Sequence, residues 1–172
     1  MPPQRVLQYM LVGCCLLAGC GYQLAGRVGE SRLVAGKRIA IPVFASKSYR
    51  PNLEAILTAS LVDEAARRSG GLVVAEAEAE LSLTGTILSY NTLPVSYSAV
   101  DTVRTYRTTI VVEAVLMEKG SRKTLWKGVE SQSQDYPSNP ALALQQNSEE
   151  AAIREVCRKL SEQLYQKITQ DF

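Results

Sequence analysis

Basic side chains gather in one stretch of the sequence, and such cations bind phosphates and other anions. Residues 102–127 hold six basic side chains and two acidic ones, a local excess of 6 − 2 = +4. Guanidinium and ammonium groups hold phosphates through charge-assisted hydrogen bonds. Charges on strand edges also prevent unwanted pairing between sheets, and the residue pattern alone favours this simpler explanation. The cations that could form an anion site are Arg104, Arg107, Arg122, Lys123 and Lys127.

The sequence offers little that could support catalysis. The chain has no histidine, which excludes a His-dependent triad, a His general base and most zinc sites. The glycines at 26–29 and 70–71 lack the spacing of a phosphate-binding loop. The alternating acids of residues 76–80 are better explained as a solvated edge than as a cation site. Cys157 lies in a helical apolar pattern and is expected to be a small buried hydrophobe. We therefore expect a non-enzymatic protein without a metal or cofactor.

The thiol with the clearest chemistry is that of Cys20. The segment before it contains one charged residue, Arg5, and an apolar run of ten residues that is too short to cross a bilayer. Leu17-Ala18-Gly19-Cys20 resembles the lipobox of bacterial lipoproteins. The resemblance implies that residues 1–19 are a cleaved signal peptide and that Cys20 carries a diacylglycerol and an N-acyl chain. Gly21 resembles the sorting residue of lipoproteins that reach the outer membrane.

Composition limits the remainder to one ordinary domain. Removing 19 residues from 172 leaves 153, enough for a single hydrophobic core. The remaining chain has 18 basic and 17 acidic residues and is therefore nearly neutral, which argues against a general nucleic-acid binder. We expect residues 20–36 to form the lipidated start and a short tether, and residues 37–172 to form the single domain.

The elements that must position the basic cluster follow from periodicity and turn residues. Pro42 places the first strand at a sheet edge or kinks it. The predicted elements are, in order, a strand over residues 37–44, a helix over 50–69, a short strand start over 72–75, strands over 81–93, 105–119 and 123–134, and a helix over 140–169. We expect an α+β fold of order β-α-β-β-β-α, with a four-stranded mixed sheet. Both helices should cover one face and leave the other open.

Three details of this prediction concern irregular positions in the elements. Leu88 and Tyr90 break the alternation of the preceding residues, so either both faces are partly covered or a bulge near Gly85 changes the register. Residues 93–103 are polar and are predicted to form a turn. Asn147-Ser148 offers a point where the last helix could be interrupted.

In their order, several segments resemble the LptE family of lipopolysaccharide-assembly lipoproteins. The resemblance covers nearly the whole chain and depends on the ordered set, since no single motif is decisive. Gln145-Gln146 lies where some relatives carry a lysine, a departure that argues against a role for this helix start in binding lipid A phosphates. The matching segments are Cys20-Gly21-Tyr22-Gln23-Leu24, the strand from Arg38 to Phe44 with its following helix, the strand from Tyr106 to Met117, and Asn139 to Leu144 followed by Glu149-Glu150-Ala151.

The resemblance implies a non-enzymatic plug in the lumen of the outer-membrane β-barrel protein LptD. Such a plug supports assembly of the barrel and the insertion of lipopolysaccharide into the outer leaflet. With this function, the five cations named above are expected to meet lipid A phosphates or the inner wall of the barrel. The predicted location is the outer membrane, through the lipid anchor, with the domain on the periplasmic side and in the barrel lumen.

A second function from another class remains open. Lipoproteins that activate a periplasmic enzyme, such as a peptidoglycan synthase, can share an Ile-x-Ile-Pro-Val-Phe-like strand followed by a helix. Those activators usually have a long tether, whereas about 16 residues separate Cys20 from the first predicted strand here. At about 3.5 Å per residue, this tether does not reach far into the periplasm. An envelope hydrolase, a third possibility, is disfavoured by the missing histidine.

Overall fold

The computed structural model describes residues 34, 36–69 and 72–169. Two helices and a mixed sheet make up this part, so the predicted α+β class is confirmed. The elements are β1 (Ile39–Ala40), β2 (Ala45–Ser46), α1 (Leu53–Ser69), β3 (Leu81–Tyr97), β4 (Val103–Glu118), β5 (Thr124–Pro137) and α2 (Leu142–Thr169). No helix within these ranges is long and apolar enough to cross a bilayer.

The first predicted strand is two short strands, which gives the sheet five strands rather than four. β1 and β2 both pair in parallel with β3, at Ile39–Leu81 and at Ala45–Thr86. Pro42 lies between them and cannot donate to a ladder, which explains the break at this sheet edge. The short strand expected at residues 72–75 is reduced to a single bridge between Val73 and Ile39.

Strands β3, β4 and β5 form a long antiparallel meander. The register of β3 shifts between Ile87 and Ser89, which places the predicted bulge at Leu88 rather than near Gly85. Because one extra residue is inserted there, Ile87 and Tyr90 are both buried although they are three positions apart. The long strands thus keep one face toward the core along most of their length.

The core lies between that face and the two helices. In β4, every second residue from Thr108 to Leu116 is buried, which is the period expected when one face of a sheet is covered. Helical spacing supplies the opposing apolar stripes. The fully buried residues with the largest side chains are Ile39, Leu53, Leu57, Leu61, Leu81, Leu83, Ile87, Ile110, Leu116, Ile153, Leu160 and Leu164.

The two helices run side by side in the same direction. Near their starts, the Arg50 guanidinium lies 3.4 Å from a carboxylate oxygen of Glu149. Near their ends, the Arg68 guanidinium lies 5.8 Å from the centre of the Tyr165 ring. We call the end of the sheet that contains the β3–β4 turn, residues 98–102, the distal end. The opposite end, where the described chain begins at Val34, is the proximal end.

Several predicted boundaries are wrong. Residues 93–97 continue β3, and the turn is confined to residues 98–102. α1 begins at Leu53 rather than at residue 50, after Asn52 has taken a left-handed conformation with φ of 62°. α2 is not interrupted at residues 147–148. There the Ser148 hydroxyl donates to the Leu144 carbonyl at 2.9 Å, one turn earlier in the same helix, instead of capping a new one.

Candidate functional site

The sheet face opposite the helices is uncovered and carries mainly polar and charged side chains. Strand alternation puts the residues between the buried positions of β4 on this face, together with their partners in β3 and β5. No described helix packs there, since both helices lie over the buried side. The central residues of this open face are Thr84, Thr86, Ser89, Asn91, Arg107, Thr109, Val111, Glu113, Val115, Lys127, Val129, Ser131, Ser133 and Asp135.

The strongest ion pair on the open face joins Arg107 and Asp135. They are direct partners in the β4–β5 ladder. The Arg107 Nε and Nη2 atoms donate to the two carboxylate oxygens at 2.6 and 2.8 Å. This two-point bond lowers the pKa of Asp135 and raises the pKa of Arg107. Both side chains remain about half exposed, so an external anion could compete for the guanidinium.

A second pair lies on the same face toward the proximal end. The Lys127 Nζ is 3.2 Å from a carboxylate oxygen of Glu113. Lys127 is the ladder partner of Val115, eight residues along β4 from Arg107. At about 3.4 Å per residue, the two cations are therefore about 27 Å apart. A single phosphate group cannot touch both.

The other three predicted cations lie at the two ends of the sheet. Arg122, with φ of 56°, and Lys123 are exposed in the β4–β5 turn at the proximal end. Arg104 is exposed at the distal end, where its carbonyl accepts a hydrogen bond from the Ser138 N–H at 2.8 Å. Within the described residues these three side chains have no ion pair. The five predicted cations therefore occupy the face and both ends rather than one site.

Two hydrogen bonds to Glu118 organise the β4–β5 turn at the proximal end. The Ser121 hydroxyl donates to Glu118 at 2.7 Å, and the Lys37 Nζ donates to the other carboxylate oxygen at 3.2 Å. These hydrogen bonds, the one from Ser121 first, lower the pKa of Glu118. Glu118 is thus already satisfied, which leaves Arg122 and Lys123 available to a partner.

A polar cluster near the distal end was not anticipated from the sequence. The Tyr90 hydroxyl donates to Glu149 of α2 and accepts from Thr92, whose hydroxyl lies 2.7 Å from that of Thr108. Burial raises the pKa of Tyr90 to about 12, and its bond to Glu149 adds to the shift. Next to this cluster the rings of Tyr106 and Tyr136 stack, with centroids 5.7 Å apart. The cluster fixes the start of α2 on the sheet.

Two shallow grooves open near the distal end, and neither resembles a catalytic site. The larger, of about 390 Å³, lies between the starts of the helices and mixes Arg50 and Arg154 with Glu150. The smaller, of about 280 Å³, lies between β5 and α2. In the larger groove both arginines already face carboxylates, at 3.4 and 3.7 Å, so it presents no unbalanced positive field. The described residues contain no group of three potential metal ligands.

The two cysteines with predicted roles have different outcomes. Cys157 is fully buried as expected, and burial raises the pKa of its thiol to about 12. A thiol of this kind stays protonated and is a poor nucleophile. Cys20 and the preceding signal-peptide prediction lie outside the described residues, so lipidation remains a prediction.

Comparisons with known proteins agree with the fold and point to one family. The family model described as "LptE: Lipopolysaccharide-assembly" matches residues 36–168. No curated protein gave a significant match.

Among solved structures, the chain is similar to lipoprotein B from Nitrosomonas europaea, with 16% identity over 87% of this chain and 90% of that one and a TM-score of 0.57. It is also similar to a protein from Xanthomonas campestris, with 14% identity, coverage of 75% and 81%, and a TM-score of 0.52. A PelC dodecamer from Paraburkholderia phytofirmans has 12% identity, coverage of 81% and 92%, and a TM-score of 0.50. At these identities the structural likeness establishes the fold alone.

Proposed function

The chain belongs to the LptE lipopolysaccharide-assembly family, and from this premise we propose that it is a non-enzymatic outer-membrane lipoprotein that plugs the β-barrel protein LptD. In this role it supports barrel assembly and the insertion of lipopolysaccharide into the outer leaflet. We further propose that Cys20 carries the lipid anchor, which keeps the domain beside the barrel and raises its local concentration there.

The observation that carries this proposal is the open face of the sheet. Half of its fourteen central side chains are hydroxyls or amides, and its four charged side chains form two internally balanced ion pairs. Such a surface has little to gain from an apolar partner but suits the polar, wet interior of an outer-membrane barrel. The 16 residues of β4 extend about 54 Å, so the face is long enough to span the apolar band of a barrel and to project beyond it. The apolar band of such a barrel is about 25 Å tall.

The proposed contacts with lipopolysaccharide fall into two groups, according to whether the cation already forms an ion pair within the domain. Arg122 and Lys123 can approach a lipid A phosphate without losing an ion pair, and so can Arg104 at the other end. Arg107 and Lys127 would have to exchange Asp135 and Glu113 for the phosphate, which reduces the net gain. We therefore assign the larger contribution to the unpaired cations and a smaller one to the paired cations.

Charge reversal tests these contacts. The double variant Arg122→Glu/Lys123→Glu should weaken lipopolysaccharide binding and make the remaining binding less sensitive to salt. Lys47→Glu is the matched control, because Lys47 is exposed outside the proposed contact set and its side chain makes no ion pair within the described residues. Binding that is unchanged in the double variant, or equally weakened in the control, would remove the assignment.

The activator of a periplasmic enzyme remains the rival function. Its support is the strand around Pro42 with the helix that follows, a pattern that the fold retains as β1, β2 and α1. Affinity purification from outer membranes separates the two functions. Recovery of a large barrel protein supports the plug, whereas recovery of a peptidoglycan synthase supports the activator.

A further inference from the structure

The distal end of the domain is almost free of charge. Residues 93–103 close the β3–β4 hairpin, and residues 138–148 lead into α2. Together they make 11 + 11 = 22 residues with one charged side chain, that of Asp101. In the whole chain 19 + 17 = 36 of 172 residues are charged, so four or five would be expected here. We call these two segments the uncharged end.

Apolar side chains are exposed at the uncharged end more than anywhere else in the described chain. Val100 at the hairpin turn is 81% exposed, and Leu142 at the start of α2 is 71% exposed. The Ser138 N–H donates to the carbonyl of Arg104, the residue that follows the first segment, so the end of the first segment lies beside the start of the second. Six of the nine large exposed hydrophobic residues belong to them: Leu93, Val95, Tyr97, Val100, Leu142 and Leu144. Exposed apolar side chains gathered in this way indicate a binding surface.

The N-terminal segment of the mature chain is too short to reach the β3–β4 turn, the far tip of this surface. Val34 enters the fold at the proximal end, next to the first β1–β3 pair. In a chain that begins at Cys20, 34 − 20 = 14 residues precede Val34, and these reach at most about 50 Å. The 17 residues of β3 alone extend about 56 Å toward the distal end.

The lack of charge favours a lipid rather than a protein as the occupant. Complementary charges steer and orient protein partners, and this end offers one carboxylate for that purpose, whereas its uncharged serine, threonine, asparagine and glutamine side chains can also hydrogen-bond to lipid headgroups. The headgroup boundary of a bilayer requires apolar side chains with a tyrosine among them and cations just behind. Tyr97 lies within the uncharged end, and Arg104 directly follows it in β4. Arg104 would therefore lie level with the lipid phosphates.

We propose that the uncharged end inserts into the interfacial region of a phospholipid bilayer when the domain is not engaged with a protein partner. With a lipid anchor at the other end, the domain would then be attached at two points and lie along the membrane surface. Apart from Leu93, the ladder partner of Arg107, this surface lies beyond the open face, and the proposal does not rest on the proposed function.

The test uses the mature chain from residue 20 with Cys20→Ser, so that no acyl chain contributes to binding. The probe is vesicles of phosphatidylcholine, which has no net charge. The parent chain should float with these vesicles. The double variant Val100→Ser/Leu142→Ser should partition about tenfold less, because two apolar side chains lose their burial. Val129→Ser is the matched control, since Val129 is 55% exposed on the open face, away from the uncharged end, and its loss should change nothing.

A second measurement shows which end is inserted. The native Trp126 pairs with Leu116 near the proximal end, so brominated lipids should not quench it. In a Trp126→Phe background, a Tyr97→Trp substitution places the only tryptophan at the uncharged end, and brominated lipids should quench it strongly. A parent chain that does not float, a double variant that floats like the parent, or quenching of Trp126 instead would each overturn the proposal.

A second copy of the chain is the competing occupant. If the uncharged end joined two copies, the parent chain would form dimers in sedimentation experiments without vesicles, and Val100→Ser/Leu142→Ser would abolish them. That result would overturn the bilayer proposal. A chain that sediments as a monomer and floats with vesicles supports it.

Discussion

Glu149 should be worth far more to stability than its neighbour Glu150. Its carboxylate accepts the hydrogen bond of the Tyr90 phenol and faces the Arg50 guanidinium at 3.4 Å. Tyr90 is only 3% exposed, so Glu149→Ala leaves a buried donor without its acceptor, which costs about 1–3 kcal/mol. The partly exposed pair with Arg50 adds less than about 1 kcal/mol after screening by solvent. The expected total is about 2 kcal/mol.

Chemical denaturation followed by circular dichroism measures this difference in the free energy of unfolding. For a chain of this size, about 2 kcal/mol also lowers the melting temperature by about 4–8 °C. Glu150→Ala is the control, because Glu150 faces Arg154 at 3.7 Å and both side chains are more than half exposed. Its expected cost is below about 0.5 kcal/mol.

The combination with Tyr90→Phe identifies the cause of the loss. Tyr90→Phe removes the donor as well as the bond and should cost about 1 kcal/mol. Once the phenol is gone, Glu149→Ala should remove little more, since no buried donor is left unpaired. Equal stabilities of the Glu149→Ala and Glu150→Ala variants would refute the reasoning, and so would fully additive effects of Tyr90→Phe and Glu149→Ala.

Three further predictions concern the core and its titration. Gly85→Ala would place a Cβ 2.2 Å from the Phe44 ring and 2.7 Å from the Glu113 carbonyl oxygen, and should cost about 2–3 kcal/mol in thermal melts. Gly120→Ala is the control and should be nearly neutral, because nothing lies within 4 Å of its added Cβ. Equal melting temperatures of the Gly85→Ala and Gly120→Ala variants would contradict the close packing around Gly85. In the Cys20→Ser chain at pH 8, Cys157 should react with a thiol reagent only after unfolding, since its pKa is about 12, and rapid labelling of the native chain would contradict its burial. Because the pKa of Tyr90 is raised from 10.0 to about 12 in the fold, its contribution to stability is complete below pH 10 and is lost as the pH rises from about 10 to 12. Denaturant titrations should show that the free energy of unfolding falls less steeply with pH over this range in Tyr90→Phe than in the parent chain. The same slope in both chains would argue against the raised pKa of Tyr90.

Periodic segments of the fold could be predicted from the sequence, and irregular ones could not. The β-branched run of β4 and the helical spacing of α1 and α2 reflect local geometry, so these patterns were sufficient to predict the three elements. Residues 93–97 have the composition of a turn, yet they continue β3. Beyond Ile87, β3 has no neighbour on its outer edge among the described residues, so the missing N–H of Pro94 costs no ladder bond. Whether β3 has a neighbouring strand at Pro94 depends on where β2 ends, which the composition of residues 93–97 does not reveal.

The site could be predicted only in part, because its geometry depends on contacts between distant residues. The sequence named the five cations as candidate contacts and predicted the uncovered face. The predicted strand over residues 105–119 already placed Arg104 and Arg122 at opposite ends, but the sequence could not show that Arg107 is held by Asp135, 28 positions later. The Tyr90–Glu149 bond spans 59 positions and depends on the bulge at Leu88, which turns Tyr90 toward the helices.

Crosslinking from the open face tests the plug most directly. A photoreactive residue in place of Ser131, which is exposed at the centre of that face, should form a product with a large outer-membrane barrel protein in intact cells. The same residue at Arg104 or Lys123 would then show which end enters the lumen. A crosslink from Ser131 to the barrel is the result that we predict. No barrel product from this position, or a product with a peptidoglycan synthase instead, would contradict the plug.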